Sequence, residues 1–299
     1  MMRRGAKKGF AMKKLLPPVA VLLALALASA EPPKKPVKGP PLPEADAKVL
    51  EKINAVRKLA GVGPVTIDAA MSKACAGHAA YLLKHFDAMM KAGTSMHTED
   101  PKLEGYTKEG AAAGKASDIH YVEPAEAVDG WMASLYHRIP LLNADLLKVG
   151  LGYVKGTANP PWVCCVDVLT GLPSLTEERA KVVMYPADAQ KDVPLDFGGE
   201  RPTPIPDDPD QKGGFPVTAT FREIVKVTEA TATLKDATGA EVPVWLSTPE
   251  KTAQPQGQRN TVALIAQDPL KPATTYTVTV DAKVDGKAWK KVWRFTTKK

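Results

Sequence analysis

One change of pattern divides this 299-residue chain. Up to about residue 188, apolar residues recur mainly with the helical period. Beyond it they only alternate. The stretch between, "GGERPTPIPDDPDQKGG", is rich in Pro, Gly and Asp, which suits an exposed linker over residues 188–213. In "FPVTATF" the residues Phe215, Val217, Ala219 and Phe221 share one face, and in "TTYTVTV" Tyr276, Val278 and Val280 do, with Thr outward. "VDGKAW" carries an Asp-Gly hairpin turn. Short alternating strands punctuated by turns predict a small all-β sandwich over residues 214–299.

Residues 44–187 read differently. Val49, Leu50, Ile53, Val56 and Leu59 form one helical stripe, and Gly61 ends it. A second helix follows Asp68, a natural N-cap, and carries Met71, Cys75, His78, Leu82 and His85 on neighbouring faces. A loop is expected from 94 to about 121. A third helix, "PAEAVDGWMASLYH", opens on Pro124, which suits a first turn. Then come three strands, "KVGLGYV", "WVCCVDVL" and "AKVVMYP". Helices with strands arriving late predict an α+β layer domain.

The first 30 residues belong to neither domain. A basic start and an apolar run ending in Ala28-Ser29-Ala30 read as a secretory signal, with Met12 as an alternative start. The run is too short and too broken by Pro to favour a membrane anchor. Residues 31–43, "EPPKKPVKGPPLP", read as an extended tether. The signal also distorts the charge. Of 40 basic residues six lie in it, leaving 34 against 33 acidic, a net charge of +1 in place of +7. Such a balance gives no support for a nucleic-acid partner. Export permits disulfides. Adjacent Cys164 and Cys165 would point to opposite faces of a strand, so two readings stand: one of them pairs with Cys75, or all three are buried thiols.

Several stretches resemble one family. "VLEKINAVRKLAGVGPVTIDAAMSKACAGHAAYL", "KAGTSMH" and "VDGWMASLYHRIPLLNADLLKVGLGY" are similar to bacterial CAP proteins, relatives of the cysteine-rich secretory, antigen 5 and pathogenesis-related-1 proteins. The shared features are Asn54-x-x-Arg57, a Gly-x-x-Pro-Val turn, Ala-x-x-His-Ala, a loop His and Trp-Met-x-Ser-x-x-His-Arg. The resemblance implies an α-β-α sandwich with two facing histidines in a cleft, here His97 and His137. It implies a structural Arg138. "PLKPATTYTVTV" resembles the strand entry of bacterial Ig-like domains, where a Tyr packs at the corner. A divalent metal such as zinc is a reasonable guest for two such imidazoles. The family's acids are altered, however. Ser117 and Asp118 stand where Glu-Asn is usual, and Ser134 stands where a second acid often sits. Glu109 and Glu99 are the carboxylates left to take their place.

Three functions follow as expectations. The first is a secreted, non-catalytic binding protein whose cleft (His97, His137, Asp118, Ser117 and Ser134) holds a divalent metal or a small apolar or cell-wall ligand, with the second domain as spacer or adhesion module. The second is a hydrolase using His97 and His137, helped by Glu109. The third is a surface protein with a vestigial cleft. His78, on an apolar face, and His85 read as structural. Trp131 reads as a core anchor. Ser134 and His137 are spaced to touch.

Overall fold

The computed structural model describes residues 42–173, 182–206, 212–252 and 254–299. The expected signal and nearly all of the tether, residues 1–41, lie outside them. Among the described residues no helix is long and apolar enough to cross a membrane.

The first domain runs α1 (Glu44–Leu59), β1 (Thr66–Ile67), α2 (Ala69–Ala92), α3 (Lys108–Ala116), β2 (Ser117–His120), α4 (Pro124–Ala133), α5 (Arg138–Leu141), β3 (Lys148–Lys155) and β4 (Trp162–Asp167). Its sheet has the order β1-β3-β4-β2, parallel only at β1–β3. Strand alternation then sorts the side chains. Val149, Leu151, Cys164 and Val166 pack in one apolar cluster with Val49, Ile53 and Trp131 of α1 and α4. Val163, Cys165 and Ile119 pack in another with Cys75, Ala79 and Leu82 of α2. The result is the expected α-β-α sandwich. Asp68 caps α2 by accepting from the N–H groups of Ala70 and Met71, and Gly93 closes that helix in the left-handed region.

Two details of the sequence acquire physical meaning here. Asn54 donates to the carbonyl of Val65 and accepts from its N–H, at 3.0 and 2.8 Å. Arg57, fully buried, donates to the carbonyls of Gly63, Leu141, Asn143 and Leu146 at 2.7–3.1 Å. The Asn-x-x-Arg pair thus ties α1 to the loop that follows it, to the end of α5 and to the loop between α5 and β3. Gly152 serves close approach: a β carbon there would sit 2.1 Å from the backbone nitrogen of Ala76 in α2. We expect Gly152→Ala to push α2 off the sheet and to cost ~1–3 kcal/mol in a urea melt.

The second domain runs β5 (Val182–Tyr185), β6 (Gln190–Val193), β7 (Val217–Phe221), β8 (Val227–Lys235), β9 (Val244–Ser247), α6 (Pro255–Gln258), β10 (Thr261–Ala266), β11 (Thr275–Val284) and β12 (Lys287–Thr297). Two four-stranded sheets, β5-β7-β10-β9 and β6-β12-β11-β8, form the sandwich. Phe215, Val217, Ala219, Phe221, Tyr276, Val278 and Val280 are all buried, as their alternation predicts. Asp285 and Gly286 turn between β11 and β12 with positive φ at both. The Tyr276 hydroxyl accepts from the N–H of Lys271, which fixes the corner.

The structure corrects three local readings and decides between the two for the cysteines. The segment 94–121 is not all loop. It holds α3, whose Gly- and Ala-rich sequence gives no apolar stripe to read, and β2, four residues long and too short to show an alternation. The strand "VVMY" does not join the first sheet; it pairs antiparallel with β7 in the second domain, because the first sheet already ends in β2. The connecting stretch 188–213 is no free linker. Gln190–Val193 pairs in parallel with β12, and Gly198 donates to the carbonyl of Ala133 at 2.8 Å. Finally, Cys75, Cys164 and Cys165 are all buried free thiols, so neither pairing with Cys75 is present. Strand alternation separates Cys164 from the other two.

The domains share a core. One apolar cluster passes from Ile53 and Trp131 to Phe215 and Trp293. Arg222 of the second domain meets Asp145 of the first in a buried two-pronged ion pair, both contacts at 3.1 Å. Arg138 has no exposed surface. It donates to the carbonyls of Met132 and Pro216, and its guanidinium lies 4.3 Å from the Phe215 ring centre and 5.1 Å from that of Tyr185.

Candidate functional site

The cleft lies where α4 ends. Helix α4 stops at Ala133, earlier than its sequence suggests, and the chain turns through Ser134 to Tyr136 into the short α5. That turn directs His137 and Arg138 apart. Arg138 enters the domain junction, while His137 lines a cavity of about 540 Å³. His97, Ser117 and Asp118 share that cavity, and so do Tyr136, Lys115 and, from the second domain side, Arg201, Gln256 and Arg259. A larger depression, about 920 Å³, lies around residues 223–227 and Arg259; neither histidine lines it.

Each imidazole is oriented by its Nδ1. That of His97 donates to the carbonyl of Gly114 at 2.9 Å. That of His137 meets Ser134 Oγ at 3.0 Å and the Glu200 carboxylate at 3.2 Å. Glu200 also accepts from the backbone N–H groups of Leu135 and Tyr136, at 2.6 and 2.9 Å, and its side chain is 1% exposed. Burial works against a charge on His137, yet the Glu200 hydrogen bond and the Asp118 and Glu200 charges prevail and raise its pKa. Burial lowers that of His97, against the help of the Gly114 carbonyl, and the nearby His137 adds to the fall.

Ser134 and His137 touch, as their spacing suggests, but not as nucleophile and base. Ser134 and Glu200 approach the same nitrogen, Nδ1, so no proton path runs from hydroxyl through the ring to the acid. Ser134 is also buried and donates to the carbonyl of Trp131. Ser117 meets Cys75 Sγ at 3.8 Å. Glu109 is exposed in the first turn of α3 and does not line the cavity. Glu99 is drawn elsewhere. Its side chain, fully buried, meets His78 Nδ1 at 2.8 Å and accepts from the Thr107 N–H, while His78 Nε2 donates to the Met96 carbonyl. Helix α3 can lie over this pair because Gly114 has no side chain; a β carbon there would be 2.4 Å from the His78 ring. His85 binds the Glu104 carbonyl. Both histidines hold the loop.

Asp118 is the unusual group. It is 4% exposed, and its Oδ2 has no hydrogen-bond partner. Burial raises its pKa to about 8; the Glu200 and Asp167 charges add to this, and His137 and Arg259 oppose it. The folded value lies above the unfolded one, so this group's contribution to stability is whole below about pH 4 and is lost as pH rises toward 8. Asp118→Asn, neutral and nearly isosteric, should therefore match the parent at pH 4 and exceed it at pH 8 by on the order of a few kcal/mol. Urea melts at the two pH values check this; equal stabilities at pH 8 would contradict it.

The donor set does not fit a divalent metal. Among the described residues no three His, Cys, Asp or Glu side chains are gathered to hold one. Among the described residues that line the cavity, Lys115, Arg201 and Arg259 are cations and Asp118 is the single carboxyl group.

Sequence reading missed Glu200, Tyr136 and Arg259. Glu200 sits in a Pro/Gly-rich stretch 63 residues beyond His137, and nothing local announces its direction. Tyr136, with a buried hydroxyl that lacks a partner, carried the one available signal: it adjoins His137.

A three-layer α-β-α domain with two histidines in a cleft, joined to a β-sandwich, defines a class of modular protein. The family model described as "Cysteine-rich secretory protein family" matches residues 50–166, and that of the "Bacterial Ig-like domain" matches residues 179–297. The chain is a CAP-domain protein with a C-terminal bacterial Ig-like domain. Among solved structures, an outer surface protein of Borrelia burgdorferi is similar at 20% identity, over 41% of this chain and 90% of that one, with a TM-score of 0.29. Comparison with curated proteins gives no match.

Proposed function

We propose that this is a secreted, non-catalytic binding protein whose CAP cleft takes a small ligand outside the cell. The observation that carries the reading is the pair of oriented histidines lining one cavity, together with a buried carboxyl oxygen that lacks a partner. A buried polar atom left unpaired costs ~1–3 kcal/mol, and a bound ligand can recover it. The basic, apolar N-terminal segment supports export. Binding is favoured over hydrolysis because the hydroxyl and the acid share one nitrogen of His137.

Native mass spectrometry of the mature protein, purified from the secreted fraction without chelators, tests this beside His97→Ala/His137→Ala. An adduct that vanishes in the double variant is the expected result. A bare mass for both proteins would sink the reading and favour a vestigial cleft.

A further inference from the structure

The cavity is roofed by the second domain, and that roof is built. Gln258 is fully buried, and its amide is satisfied on both sides: Oε1 accepts from Ser247 and Thr252, and Nε2 donates to the Thr261 carbonyl. Asn260 donates to the carbonyls of Arg222 and Val225, both at 2.9 Å. Between these anchors Arg259 is held at φ 50°, ψ −141°, a backbone conformation that a β carbon disfavours. Glycine would sit there without strain, and arginine is present instead. Its Nη1 reaches Glu223, a half-exposed partner at 3.1 Å that a ligand in the cavity can displace.

We propose that the cleft and this roof together form an oxyanion site, taking a small hydroxylated molecule through its carboxylate or phosphate group. This rests on the reading of the cleft as a binding site, and it adds the ligand's charge and the second domain's part in holding it. The lining argues for an anion over a neutral sugar or a cation. Lys115, Arg201 and Arg259 bring positive charge, and Tyr136 a buried hydroxyl free to donate. Asp118 presents an unpartnered buried oxygen, and burial biases its carboxyl toward the protonated form, which donates. Glu200 is already committed to His137 and two backbone N–H groups, so it does not repel the guest. A volume of about 540 Å³ admits a monosaccharide-sized body.

Isothermal titration of the full mature chain with glucuronate, inorganic phosphate and glucose tests this. Glucuronate or phosphate should bind, and which of them binds tells a carboxylate guest from a phosphate one; glucose should not. Arg259→Gly removes the guanidinium and the backbone strain together. It should melt no lower than the parent yet bind the anion at least ~10-fold more weakly. Asp118→Asn, whose amide still donates, should keep most of the affinity. Glucose binding as well as glucuronate, or Arg259→Gly binding as well as the parent, would overturn the oxyanion assignment and leave the cleft reading intact. The oxyanion assignment alone also falls if no probe binds while native mass spectrometry still shows a histidine-dependent adduct. No binding and a bare mass would remove both.

Discussion

Arg138→Ala is expected to destabilise the protein by ~3–5 kcal/mol, the range for leaving buried partners of a charged group unpaired and opening a cavity. Its guanidinium fills the junction between Tyr185 and Phe215 and is shared by the carbonyls of Met132 and Pro216, one from each domain. Arg138→Met would restore much of the packing but leave both carbonyls unpaired, so it should fall in between, at ~1–3 kcal/mol. Because the apolar cluster is continuous across the junction, the parent should unfold in one calorimetric transition. In Arg138→Ala the two domains should begin to melt apart. An alanine variant within ~1 kcal/mol of the parent, still with one transition, would contradict the role given to Arg138.

Glu200→Ala is the second large effect. It strips the partner from two backbone N–H groups, those of Leu135 and Tyr136, and from His137 Nδ1. The expected cost is ~2–4 kcal/mol, from buried donors left unsatisfied at ~1–3 kcal/mol each and partly rescued by water. The variant also has a signature that simple loss of packing would not give. Glu200 raises the pKa of His137, so without it the imidazole should lose its proton at lower pH, which an NMR titration of that ring reads directly. Glu200→Gln keeps one acceptor oxygen and should lose about half the stability that alanine loses. An unmoved His137 titration in Glu200→Ala would show that the carboxylate does not govern the ring.

What could be read in advance follows from how locally each feature is encoded. Helix α2 announces both ends, Asp68 and Gly93, and its buried face repeats with the helical period. Strand β11 alternates cleanly because one of its faces is buried and the other is not. Helix α3 was illegible because its residues are chosen for smallness: Gly110 and Gly114 let it lie against the Glu99–His78 pair, and smallness has no period. In the cleft, His137 and Ser134 could be placed by spacing, since three residues of sequence separate them. The acid on His137 could not. It comes from a segment whose composition speaks of exposure, and only the docking of the second domain turns Glu200 inward.

The short parallel pairing of β6 with β12 has a mechanical consequence. Val193 belongs to β6, which follows β5 at the entry to the second domain, and Thr297 to the last strand of the chain. A pull from the C-terminus and from the N-terminal side, once the latter has passed β5, would draw these two strands along their axes in opposite directions. Hydrogen bonds loaded in that way share the tension and must fail together, whereas a hairpin pulled open at its tips unzips one bond at a time. Between β6 and β12 the pairing is therefore of the kind that resists a lengthwise pull.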